Sequence, residues 1–77
     1  MKPRRARPYH CLLTRDTAAD KWAIAFGDYD RATVVFERGE YRQQYAAKNL
    51  TIISTANARA KTVKVAVEAL NLKAQDL

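Results

Sequence analysis

A chain of 77 residues makes one domain, and at that size only about 60–65% of the unfolded surface leaves water, so a stability of a few kcal/mol is expected. A hydrophobic share of 48% beside 29% charged residues excludes a disordered chain, and no apolar run approaches the roughly 18 residues of a membrane span. The net charge of +6 lies mainly at one end: Lys2, Arg4, Arg5 and Arg7 carry four of the fourteen basic groups, which leaves a nearly balanced body behind them.

Residues 1–8, M-K-P-R-R-A-R-P, contain both prolines. Neither Pro3 nor Pro8 continues a helix or donates to a strand ladder, so the segment reads as a disordered basic arm. The roughly 7–15 apolar residues of a secretory signal do not follow it, and the expected compartment is the cytosol. The lone Cys11 excludes an internal disulfide or a thiolate cluster and reads as a small buried packing residue.

Structure is expected from Tyr9. Tyr9–Thr14 is a short apolar run suited to a strand, and residues 15–20 have the polar character of a hairpin loop. In residues 21–27, K-W-A-I-A-F-G, alternation puts Trp22, Ile24 and Phe26 on one side of a second strand and Ala23, Ala25 and Gly27 on the other. Gly27 ends it, and Asp28 or Asp30 caps a helix. On a helical projection Val34, Tyr41 and Tyr45 form one stripe, with Asp30 and Glu37 along one side and Arg31, Arg38 and Arg42 along the other. The run Thr33–Phe36 suits a strand equally well, and Gly39 costs a helix interior about 1 kcal/mol; the helix is preferred. Leu50–Thr55 is a β-branched third strand, and Asn57 caps a last helix from Ala58 to about Leu70, with Ala60, Val63, Val67 and Leu70 on its inner face and Asn71 at its end.

The expected fold is therefore an α+β domain of order ββαβα over residues 9–77. It has a three-stranded mixed sheet of order 2-1-3, and two helices on one face of that sheet cover Trp22, Ile24 and Phe26.

Chemistry finds few footholds. Asp28 and Asp30 at a strand-to-helix turn are explained by capping and lack a third metal ligand. His10 and Cys11 are neighbours on a strand and point to opposite faces, so they form no nucleophile–base pair. With two glycines there is no phosphate loop. No catalytic, cofactor or metal site is expected, and the chain reads as a binding protein rather than an enzyme.

Two binding surfaces are expected. Phe36 projects roughly 160–200° away from the Val34–Tyr41–Tyr45 stripe, near Ala32 and Gly39, and an apolar side chain there anchors either a protein partner or a second copy unless the other helix covers it. The bare Ala23, Ala25 and Gly27 face is a further flat docking surface. The alternative is nucleic-acid binding through Lys2, Arg4, Arg5 and Arg7, extended by Arg31, Arg38 and Arg42 on the helix.

The pattern of Trp22, Phe26-Gly27-Asp28-Tyr29-Asp30-Arg31, Val34, Glu37-Arg38 and Tyr41, followed by Leu50–Thr55 and residues 63–71, resembles small uncharacterised proteins encoded by bacteriophages and prophages. It spans about residues 20–72, omits the basic arm, and departs from those proteins at Gly39. What the resemblance implies is a phage accessory protein that meets a host or phage protein in the bacterial cytoplasm; it carries over no activity and no functional residue.

Overall fold

A computed structural model describes residues 7–75. Strands β1 (Tyr9–Thr14) and β2 (Ala23–Asp28) are followed by helix α1 (Arg31–Tyr41), a short 3-10 turn (Ala47–Asn49), strand β3 (Leu50–Thr55) and helix α2 (Ala60–Gln75). This is the expected ββαβα order and α+β class. Lys2, Arg4 and Arg5 of the basic arm lie outside the described residues.

The sheet order is β2-β1-β3, with β1 central and antiparallel to both neighbours. It is therefore antiparallel throughout rather than mixed, because the only strands that run the same way, β2 and β3, are held apart by β1.

The helices lie on opposite faces of the sheet, which corrects the expectation of two helices on one face. Cys11 and Leu13 pack with Trp22 and with Val63 of α2, while Leu12 packs with Val34 of α1 and with Leu50. Successive strand residues point to opposite faces, so each helix covers one side of β1. Cys11, Leu12 and Leu13 are all 0% exposed, the burial of a strand enclosed on both faces.

A bulge in β2 overturns the second expectation. Leu12 pairs with Phe26, but Leu13 pairs with Ile24, so Ala25 is an extra residue and the alternation slips by one. Trp22 and Ile24 consequently share the α2 side, whereas Phe26 joins Val34, Tyr41, Tyr45 and Ile52 on the α1 side. The one-sided Trp22–Ile24–Phe26 surface and the bare Ala23–Ala25–Gly27 surface both disappear. Tyr9 fills the space over Gly27: a β-carbon there would fall 2.7 Å from the Tyr9 Cζ, so only glycine accommodates the ring.

The corner between β2 and α1 is built from its two acids. The Asp28 carboxylate accepts from the Asp30 amide at 2.7 Å, and Asp30 in turn accepts from the Ala32 amide and the Thr33 hydroxyl, each at 3.0 Å. The residues Thr33–Phe36 are helical, as preferred, and the Ala32 amide, one of those a helix leaves unpaired in its first turn, is met by the Asp30 cap. Tyr45 lies beyond the end of α1 yet still packs under it, stacked with Tyr41 at 6.2 Å between ring centres.

In α2 the inner face is the expected one, with Val63 buried and Val67 and Leu70 packed beside it, but Ala60 is exposed. Asn57 accepts from the Arg59 amide at 3.0 Å just before the helix. Asn71 does not end α2. It sits within the helix and grips the backbone of Trp22, accepting from its amide at 2.7 Å and donating to its carbonyl at 3.3 Å.

Candidate functional site

The outer face of α1 carries the first surface. Val34 is 0% exposed, pressed onto Leu12 and Leu50, and the two-residue step to Phe36 turns that ring to the opposite side, where it is 65% exposed. Ala32 and Gly39 lie at the i−4 and i+3 positions, both exposed, so a low floor surrounds the ring on two sides. A β-carbon built at Gly39 meets nothing within 4 Å, and its φ is not positive. Neither crowding nor backbone conformation in the monomer requires glycine at that position.

Arg31, Arg38 and Arg42 stand exposed in a row along the edge of the same helix, as their spacing of seven and four implies. Among the described residues the ion pair within 4.0 Å is Lys64–Glu68 on α2, so no carboxylate neutralises these arginines at that range.

Arg7, the described member of the arm, stacks over Tyr29 at 5.7 Å, and Tyr29 meets Tyr9 edge-on at 5.1 Å. Burial above all, with Cys11, Asp28 and Tyr29 adding to it, raises the Tyr9 phenol above its usual range. This aromatic corner was not anticipated; a tyrosine on each side of the β-hairpin was its only sequence trace.

One potential nucleophile pair emerges that sequence reasoning had not matched. His10 Nδ1 lies 2.7 Å from Ser54 Oγ across the β1–β3 ladder, and Asp28 occupies the facing position on β2, so Asp28, His10 and Ser54 form a row across the sheet. The row does not assemble into a relay. The described residues show no ion pair between Asp28 and His10 within 4.0 Å, and the Asp28 carboxylate serves the Asp30 amide. The His10–Ser54 contact is a cross-strand hydrogen bond that satisfies a buried imidazole. Cys11, fully buried on the other face, has its thiol pushed up by burial and thus away from the reactive thiolate.

The remaining polar clusters fasten the fold. Arg15 stacks on Trp22 at 4.3 Å and donates to the Asn49 side chain and the Lys48 carbonyl, while Asn49 donates onward to the Asp16 carbonyl. The described residues contain no group of three His, Cys, Asp or Glu able to hold a metal. Two open hollows among the described residues, about 230 and 400 Å³, adjoin Lys21 and Asn71 beside the end of α2 and share no residue with the Phe36 face. Comparison of the chain with protein-family models, with curated proteins and with solved structures finds no match.

Proposed function

We propose that this domain is a non-enzymatic protein-interaction module whose docking surface is the outer face of α1, with Phe36 as the anchor and Ala32 and Gly39 as the floor beside it. The observation that carries the reading is Gly39. A glycine within a helix costs about 1 kcal/mol relative to alanine, and here no internal contact calls for it. A partner that approaches the helix backbone closely beside Phe36 supplies the missing reason, and a large apolar side chain next to a shallow depression is the usual form of an interface anchor. On the resemblance to phage-encoded proteins, we assign the partner to a host or phage protein in the bacterial cytoplasm.

The test is Phe36→Glu. It leaves the monomer folded, because the ring is mostly in water, and abolishes co-purification of the partner from a bacterial lysate. Loss of the fold itself would put Phe36 in the core and end the proposal.

A second reading, nucleic-acid binding, has one specific observation in its favour: three aligned arginines on α1 and its C-cap with no carboxylate within 4.0 Å among the described residues, in a chain whose basic arm carries four more cations. It requires affinity for DNA or RNA that falls steeply between low and moderate salt and drops on deletion of residues 1–8.

A further inference from the structure

The two edges of the sheet are built differently, and the difference points to a second copy of the chain. At the β2 edge the ladder is broken by the Ala25 bulge, the Ala25 carbonyl accepts from the Tyr41 hydroxyl at 3.5 Å, and a carboxylate, Asp28, sits in the strand. Bulges and charges are the devices by which proteins blunt an edge. Strand β3 has none of them. Its six residues, L-T-I-I-S-T, include no charge, no proline and no glycine, and pair with β1 in one unbroken register.

The ladder also fixes which groups of β3 remain open. The Arg15 amide donates to the Asn49 carbonyl at 3.1 Å, and this pair continues the β1–β3 register by one step. Because hydrogen-bonded pairs alternate along an antiparallel ladder, Thr51, Ile53 and Thr55 turn their amides and carbonyls toward β1, and Leu50, Ile52 and Ser54 turn theirs outward. The Leu50 amide is taken by the Ala47 carbonyl of the 3-10 turn. Among the described residues nothing bonds the amides or carbonyls of Ile52 and Ser54.

We infer that β3 is a homodimerisation edge, at which two copies pair antiparallel across a two-fold axis perpendicular to the sheet to form one continuous six-stranded sheet. The open groups decide the register. With the axis at Ile53, Ile52 and Ser54 of one copy exchange both bonds with Ser54 and Ile52 of the other, so all the open groups on those residues are satisfied. An axis at Ile52 would set the Ser54 carbonyl against the occupied Leu50 amide. The axis at Ile53 also puts the two Ile53 side chains directly opposite each other at a non-hydrogen-bonded site, where side chains approach most closely. The perpendicular axis keeps each face on its own side, so the α1 layer continues into the other α1 layer and the α2 layer likewise. The strand carries no charge, so two copies meet without repulsion between facing strand residues.

This inference is independent of the Phe36 surface. The experiment is sedimentation velocity of the full chain over a range of concentrations, with far-UV circular dichroism on every sample. The parent chain and Ser54→Ala, which loses the hydroxyl but keeps the amide, are expected to double in mass as concentration rises. Ser54→Pro removes an outward amide without touching the β1 ladder and is expected to stay monomeric with an unchanged spectrum. Should that variant unfold, Ile53→Cys decides: mild oxidation is expected to link it into a dimer, while the parent, with only buried Cys11, stays unlinked. A parent chain that remains monomeric throughout, a folded Ser54→Pro that dimerises like the parent, or an Ile53→Cys that does not cross-link would overturn the inference. Loss of the dimer in Phe36→Glu but not in Ser54→Pro would overturn it too, by moving self-association to α1.

Discussion

Substituting alanine at Val34 and, separately, at Phe36 tests the division of the α1 side chains between core and solvent. Val34 is 0% exposed, so removing its two methyl groups loses about 0.8 kcal/mol each in transfer and leaves a cavity against Leu12 and Leu50, for a total of about 2–3 kcal/mol. Phe36 is 65% exposed. Only about a third of its surface is withheld from water, worth roughly 1 kcal/mol, and the better helix propensity of alanine returns about 0.5 kcal/mol, so the net change stays near 0.5 kcal/mol. For a domain stable by a few kcal/mol, the first variant should lose about half its stability and the second almost none. Urea unfolding followed by circular dichroism, analysed with a common slope, measures both. The pair is diagnostic because residues two apart share a face on a strand but lie on opposite sides of a helix. Equal losses at the two positions would refute the reasoning.

Other consequences are separate from that pair. Gly39→Ala is expected to stabilise the monomer by about 0.5–1 kcal/mol, since the new methyl group meets nothing, and to weaken partner binding; a destabilised monomer in thermal unfolding would show an internal need for glycine. Asn71→Ala breaks both bonds to the Trp22 backbone and leaves polar groups half-buried, for a loss of about 1–3 kcal/mol by urea unfolding, whereas an exposed helix-end asparagine would cost far less. The Cys11 thiol is enclosed and held above its usual range, so it should react with a thiol reagent only when the domain opens, and reaction at the rate of a free thiol would contradict the burial.

Much of this architecture was legible in the sequence where several local signals pointed the same way, even though Thr33–Phe36 alone suited a strand equally well. Asp28 and Asp30 before an apolar stripe announced a capped helix, and the stripe of Val34, Tyr41 and Tyr45 fixed its inner face. The same projection turned Phe36 outward. The layer arrangement was misread as two helices on one face, although β1 held the contrary signal: the run Cys11-Leu12-Leu13 has no alternation, and a strand without alternation is buried on both sides, which calls for a cover on each. The bulge was not legible. Ala25 differs little from Ala23 in any local property, and the bulge shows only in the pairing with β1, yet that one residue separates Phe26 from Trp22. Asn71 looked like a helix stop because asparagine favours that position. Its actual partner, the Trp22 backbone, is 49 residues away in the chain and left no local trace. The open edge of β3 depended on ladder parity, which appears only once the pairing is known.

The central claim is that the outward face of α1 docks a protein through Phe36. The most direct measurement places a photo-reactive phenylalanine analogue at position 36, with the same analogue at the equally exposed Leu72 as control, and irradiates bacterial cells producing each chain. One discrete protein adduct at position 36, lacking at position 72 and lost when Gly39→Ala is added, is the predicted result. The same adducts at both positions, or adducts with nucleic acid alone, would contradict it.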